Sequence, residues 1–430
     1  MSPGRRISPP GINDGSRRCY GCQLSYGRLN SGYPRRSAAA ESGIFAREVA
    51  MLKLFSADDH IIEHARVWQD RVPAKFLEAA PRVIEEDGRE YWIYNGVRGE
   101  TMGLNAVVGR PRDQVNLDPV RFSDMRPGCY DPAERAKDLL SDGIFASVLF
   151  PTLPRFSGTL FLTFDDKELA DACVRAYNDF IIDEWCPGGP AGLYVPTIIC
   201  QLWDPELAAR EIHRCADLGA RAISFPENAV PLGLPSYWNS FWDPIWRACE
   251  ERDIVMCLHI GTSTWRPTPS PDAPEVLTFS LHQVGSIMSS VNLMMSPVCR
   301  KFPGLKFVFS EGGIGWVPNA LERADRFWVR HGVYNGTDDI LPSEIFRQNM
   351  YLCMVEEPIC LRYRNDIGID RIMWECDYPH NDTTWPESQT SAAMTFEEAG
   401  CNDEEIEAIT HGNAERIFNW TMARDNAPVG

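Results

Sequence analysis

The sequence lacks any apolar run that approaches the length of a membrane-crossing helix, which takes about 20 residues. No secretory-type apolar segment follows Met1. Basic charge is in deficit: 42 Lys and Arg stand against 60 Asp and Glu, a formal net charge of −18 over 430 residues. That balance argues against nucleic acid and against an anionic membrane surface as partners. Paired cysteine motifs are scarce as well. Among 14 cysteines the only close pair is Cys19 and Cys22, and a lone CxxC is weak evidence for zinc. The others are scattered and mostly lie inside apolar runs such as Val255-Met256-Cys257-Leu258. Buried free thiols of this kind suit a reducing compartment, so a cytoplasmic protein is expected.

Residues 1–50 lack lysine and are poor in acids, yet carry Arg5, Arg6, Arg17, Arg18, Arg28, Arg35, Arg36 and Arg47. Gly, Pro and Ser are frequent there and neither a helical nor a strand period appears, so the segment reads as a disordered N-terminal extension. Its Arg-rich character resembles a transit peptide. The missing amphipathic helix instead favours a translation start at Met51, just before the first strand.

From residue 51 to 430 the pattern changes. Eight short apolar runs recur: Leu52 to Asp58, Ile144 to Phe150, Leu193 to Ile199, Ala222 to Phe225, Ile254 to His259, Leu305 to Ser310, Met350 to Met354 and Arg371 to Cys376. They do not alternate with polar residues, as expected for parallel strands buried on both faces. Between them lie amphipathic stretches, among them Asp166 to Trp185, Glu206 to Leu218, Trp242 to Arg252 and Trp316 to Val329. Eight strands separated by helices predict a (β/α)8 TIM barrel, an α/β fold. A doubly wound open sheet usually shows a Gly-rich turn after its first strand. Here that strand ends Asp58-Asp59-His60, without glycine.

Two insertions follow strand ends. Residues 64–135 contain Tyr91-Trp92-Ile93-Tyr94-Asn95-Gly96-Val97-Arg98, a hairpin signal built on Asn-Gly. Residues 260–280 are dense in Pro, Ser and Thr. In a barrel both leave from the active-site face and are candidate lids.

The residues at or just past the strand ends carry the chemistry. The first strand offers Asp58 and His60, the fifth His259, the sixth Glu311, the seventh Glu356 and Glu357, and the eighth Asp377. Charged groups directly after buried strands have no core role, and a barrel brings them to one mouth. Asp58 and His60 are two apart on an extended strand and share a face. With His259 and Asp377 they make a mixed N/O set suited to one divalent metal ion, Zn or Mn, with a position left for water or substrate.

Asp58-Asp59-His60-Ile61-Ile62-Glu63 resembles the first-strand motif of amidohydrolase-related proteins, a branch of the amidohydrolase superfamily that includes aminocarboxymuconate-semialdehyde and resorcylate-type decarboxylases. Asp377-Tyr378-Pro379-His380 with Thr384-Trp385-Pro386 resembles its eighth-strand signature, and Asn413-Ala414-Glu415-Arg416-Ile417-Phe418 its closing helix. The resemblance spans about residues 53–420 and implies metal ligation by Asp58, His60, His259 and Asp377, with Asp377 also moving a proton. Glu311 falls where many relatives place a catalytic histidine, and Asp58 where the decarboxylases often have one. The extra negative charge favours a harder metal such as Mn.

The catalytic candidates are therefore Asp377, Glu311 and His380. Arg98, Trp92 and Trp316 are candidates for substrate binding, Arg98 for an anionic group; Trp92, Tyr94, Trp265 and Trp316 would wall an apolar ring. The expected activity is decarboxylation of a small cyclic or aromatic carboxylic acid. The alternatives are hydrolysis of an amide, lactone or C–C bond, and a non-catalytic ligand-binding barrel. The partner expected is a small-molecule substrate, and the branch implies a homodimer. Glu63 reads as a structural partner for a loop. His64, His213, His282, His331 and His411 read as ordinary packed or surface residues.

Overall fold

The apolar run that opens at residue 52 becomes β1 (Leu54–His60), every residue of it buried. The computed structural model describes residues 51–99, 101–111, 115, 119–334, 336 and 338–423. The reading of residues 1–50 as a disordered extension, and the Cys19/Cys22 pair, lie outside the described residues.

After β1 the insertion forms a small antiparallel sheet of β2 (Arg82–Glu86), β3 (Arg89–Tyr94) and β4 (Val97–Arg98). The Asn95-Gly96 turn joins β3 to β4 with φ of 48° and 75°, the pair of positive values a tight hairpin requires. A second turn of the same kind, Asp87-Gly88 with φ of 50° and 74°, joins β2 to β3. Sequence reading passed over it although Asp-Gly is an equally good signal.

The remaining strands are β5 (Ile144–Phe150), β6 (Tyr194–Val195), β7 (Thr197–Ile198), β8 (Ala222–Ser224), β9 (Val255–His259), β10 (Phe307–Ser310), β11 (Met350–Met354) and β12 (Ile372–Trp374). They pair in the orders β1-β5-β6 and β7-β8-β9-β10-β11-β12, all parallel. β6 and β7 are one strand cut by Pro196, which has no N–H to give to a ladder. Its first half pairs with β5 and its second with β8. The ring closes where the chain after β12 runs beside β1: Asp377 N donates to Asp58 O (2.9 Å) and His60 N to Tyr378 O (2.6 Å). The expected eight-stranded barrel is therefore present, with helices such as Lys167–Phe180, Pro205–Asp217, Asp243–Glu251 and Val317–His331 in the intervals predicted for them.

Two packed layers hold the barrel. Inside it, Phe55, Ala57, Val148, Val255, Cys257, Val308 and Met373 meet Ile417 and Phe418 of the closing helix Asn413–Phe418. Outside it, a larger apolar layer lies between strands and helices. A bulge in β1 between Ser56 and Asp59 breaks its register with β5. One extra residue there reverses which side chains face inward. Phe55 and Ala57 face the lower interior, while Asp58 and His60 reach the histidine of β9 at the mouth. Asp59 turns away, accepting from Tyr378 N (2.9 Å) and from the Ser147 hydroxyl.

Candidate metal centre

Four barrel strands deliver titratable groups to one spot. His60 Nε2 and His259 Nε2 stand 3.1 Å apart. Asp58 brings one carboxylate oxygen to 3.4 Å from each of them. Asp377 Oδ1 lies 3.5 Å from His60 Nε2 and 2.9 Å from His380 Nδ1. Glu311 Oε2 lies 3.4 Å from His259 Nε2. Asp58, His60, His259, Asp377 and His380 are all buried. The structure thus brings together every residue proposed from sequence as a metal ligand, together with the three catalytic candidates.

The donor set fits a divalent cation, by two observations. First, neither oxygen of Asp58 and neither oxygen of Asp377 has a hydrogen bond, although both side chains are buried. An uncompensated buried carboxylate costs several kcal/mol, and a cation removes that cost. Second, His259 Nδ1 lies 2.7 Å from the Ile260 carbonyl. A carbonyl only accepts, so Nδ1 carries the proton and the Nε2 lone pair faces the cluster. Ligand atoms that each sit about 2 Å from one ion stand at separations near 3 Å.

The same crowding shows in the ionisation of these groups. Burial, then the charges of Glu375, Asp377 and Glu311, push the Asp58 carboxyl well above the ordinary range. Burial, then Asp382 and Asp59, do the same to Asp377, and burial with Asp377 to Glu311. Burial, with His380 and His259 beside it, drives the His60 imidazole well below its usual value. His259 falls to about 3, again through burial. Neutral imidazoles are the ligating form.

Backbone strain gathers at the same place. Glu311 (φ 57°) and Asp377 (φ 62°) are left-handed at the ends of their strands, and so are Arg155, Phe156 and Thr264 around them. Non-glycine residues in this region cost on the order of 1 kcal/mol or more and persist where the surroundings fix them. Phe156 is held with its ring 4.5 Å from the His60 ring and 4.6 Å from that of His259.

A second layer holds the first. Arg135, buried, donates to the His60 carbonyl (2.6 Å) and lies 4.0 Å over the Tyr378 ring. The Tyr378 hydroxyl donates to Asp138 (2.7 Å), fixing the turn that carries Asp377. Glu375 accepts from Glu311 N (3.2 Å). Glu63 accepts from Thr152 N and Leu153 N, both 2.9 Å, and anchors the loop bearing Phe156, the structural role expected of it. Glu357 accepts from Ile314 N (3.0 Å) and closes the turn after β10.

A cavity of about 420 Å³ opens over the cluster, lined by Glu311, His380, Phe156, Trp265, Glu227 and His282 among others. Both insertions contribute to its wall, Leu104 and Asn105 from the first and Ile260, Gly261 and Thr264 to Pro267 from the second. Of the substrate-binding candidates, Trp92 and Arg98 line a neighbouring cavity instead. Arg98 pairs with Glu86 (3.3 Å) and stacks on Tyr91. Trp316 lines neither cavity: its indole N–H is shared between the Gly312 and Gly313 carbonyls, 3.0 Å each, and it holds that turn. Sequence reading missed Phe156, Glu227, Glu375 and Arg135. Glu375, two residues before Asp377, and Glu227, two residues past the run Ala222 to Phe225, offered a signal as acids at strand ends.

Comparison with known proteins places this geometry. Gamma-resorcylate decarboxylase of Polaromonas sp. (strain JS666 / ATCC BAA-500) is 27% identical over 275 residues, 59% of this chain and 78% of that protein. The crystal structure of an amidohydrolase from Mycobacterium avium subsp. paratuberculosis K-10 superposes with a TM-score of 0.67 at 19% identity, covering 85% of this chain and 99% of that one. The 5-carboxyvanillate decarboxylase of Sphingomonas paucimobilis gives 0.58 at 20% identity, covering 86% and 100%. The dihydroxybenzoic acid decarboxylase of Polaromonas sp. JS666, solved with bound manganese and the inhibitor 2-nitroresorcinol, gives 0.56 at 18%, covering 86% and 97%. At these identities the structural likeness speaks to fold alone. The Amidohydrolase family model matches residues 63–420, and the chain belongs to that family.

Proposed function

We propose that this protein is a metal-dependent carboxy-lyase that removes carbon dioxide from a small aromatic carboxylic acid. The observation that carries the reading is the pair of buried carboxylates of Asp58 and Asp377, neither with a hydrogen bond, beside two neutral imidazoles under an aromatic-walled cavity. The named activities of the gamma-resorcylate and 5-carboxyvanillate decarboxylases it resembles support it.

In this reading Asp58, His60, His259 and Asp377 hold one divalent cation, manganese in preference to zinc because half of these ligands are hard carboxylates. When bound, the ion supplies Lewis acidity toward the oxygens of an anionic substrate. Phe156 presents a ring face to the substrate ring. Decarboxylation exchanges carbon dioxide for a proton at the same ring carbon. Asp377 delivers it, with His380 Nδ1 2.9 Å from its Oδ1 as the relay to the cavity. Glu311 holds the cavity side of His259.

Hydrolysis of an amide, lactone or C–C bond uses the same groups and is the second reading. Carbon dioxide release from a panel of hydroxybenzoic acids tests the first, and Asp377→Asn is expected to abolish it. Hydrolysis of an ester or amide panel without carbon dioxide release would replace it.

A homodimer and a cytoplasmic location complete the proposal. Phe327, Val329, Val333, Tyr334 and Ile340, close together in sequence, are exposed apolar side chains that a second copy would cover. All 12 described cysteines are free, which suits a reducing compartment. Among the described residues no helix is long and apolar enough to cross a membrane.

A further inference from the structure

The second cavity has no part in the chemistry above. It measures about 430 Å³ and lies under the hairpin of the first insertion, walled by Trp92, Tyr94, Phe164 and Leu153. It shares Leu104, Phe156, Gly261 and Thr264 with the cavity over the metal cluster. Phe156 therefore faces both spaces while its ring packs against His60 and His259, and its left-handed backbone, with that of Arg155, holds it there.

Two features mark this space as built for a ligand. Its walls are aromatic rings, with Tyr94 set edge to face against Phe164 at 5.0 Å and held from behind by Phe161 at 5.5 Å. An inserted ring gains most from such faces and edges. Arg155 lies on the lining and forms no ion pair among the described residues, a free cation in a strongly acidic protein.

We propose that the two cavities are one divided substrate site, and that the preferred substrate is an aromatic acid carrying a second ring. The carboxylate-bearing ring sits over Phe156 by the metal cluster. The second ring occupies the space under the hairpin, among Trp92, Tyr94 and Phe164. This substrate class rests on the carboxy-lyase reading. The two spaces together fall at the upper end of the range for drug-sized ligands, about 300–1,000 Å³, where a one-ring acid leaves the hairpin side empty.

The test uses the full-length, manganese-loaded protein. A one-ring hydroxybenzoate is compared with the same acid carrying a hydroxyphenyl or a phenyl substituent, by carbon dioxide release and by isothermal titration. Both two-ring acids are expected to show a kcat/KM at least tenfold above the one-ring acid. Val97→Trp, an exposed strand position on the cavity lining, is expected to raise KM for the two-ring acids about tenfold or more and for the one-ring acid less than twofold. Equal kcat/KM for one and two rings, or equal losses in Val97→Trp, would overturn the proposal. Absence of carbon dioxide from every acid would sink the carboxy-lyase reading instead. Titration then still decides this one: tighter two-ring binding that Val97→Trp removes supports it, and equal affinities refute it.

Discussion

Two buried carboxylates, Glu211 and Asp58, are equally hidden from water and opposite in every other respect. Glu211, on the helix Pro205–Asp217, receives Asn178 (2.9 Å) and a forked pair from Arg214 (2.9 and 2.6 Å). Burial would raise its carboxyl, yet the Arg214 and Asn178 hydrogen bonds win and hold it below the ordinary range. Asp58, at the mouth, receives no hydrogen bond and is pushed up. Burial alone therefore does not mark a functional acid. What marks it is a missing internal partner, because a charge the fold does not compensate needs one from outside.

Breaking the mouth should have the largest effect on activity. Asp377→Asn is expected to lower carbon dioxide release by about 10³-fold, within the range of a positioned proton donor, while circular dichroism and melting of the metal-free protein stay unchanged or improve. A variant that kept activity would take Asp377 out of the proposed chemistry.

The next effect sharpens the contrast through the metal. Asp58→Asn should weaken manganese affinity on the order of 100-fold or more, above what outer partners of a ligand contribute. It should cost the metal-free protein nothing in melting temperature, since it removes an unpaired buried charge.

On the paired side the signs reverse. Arg214→Leu strands Glu211, and because Arg214 is 31% exposed the loss is tempered to about 2 kcal/mol, read by urea unfolding. Metal content and kcat should not move. The pH dependence follows. The Glu211 carboxyl is held below its unfolded value, so its stabilisation is complete above the unfolded carboxylate range, about pH 4.3. It is lost as pH falls through the folded value. Arg214→Leu should flatten this acid limb of the stability curve.

The smallest effect is expected at Arg98. Its pair with Glu86 is exposed on both sides, so Arg98→Ala should change stability by under about 0.5 kcal/mol. A larger loss in thermal melting would mean the hairpin matters more to the fold than its surface position suggests.

Much of this was legible in the sequence. Ile144–Phe150 and Met350–Met354 were bounded by their apolar runs residue for residue, because strands buried on both faces leave no polar residue inside. His60, His259 and Asp377 could be found because charge directly after such a run has nowhere to go but the mouth. The bulge in β1 was not legible: residue spacing put Asp58 and His60 on one face, but not which face. Nor was the role of Phe156, whose neighbours His60 and His259 are about a hundred residues away in either direction and whose left-handed backbone no local pattern demands. Trp316 was misleading for the opposite reason. An aromatic beside a mouth loop looks like a cavity wall, but its N–H found two carbonyls of its own turn.

The most direct test of the central claim is the metal stoichiometry of the purified protein after manganese loading and extensive dialysis. One ion per chain is predicted in the wild type, and none in the Asp58→Asn/His259→Ala double variant, with the fold intact in both. A wild type that holds no ion, or a double variant that holds it as well, would contradict the account.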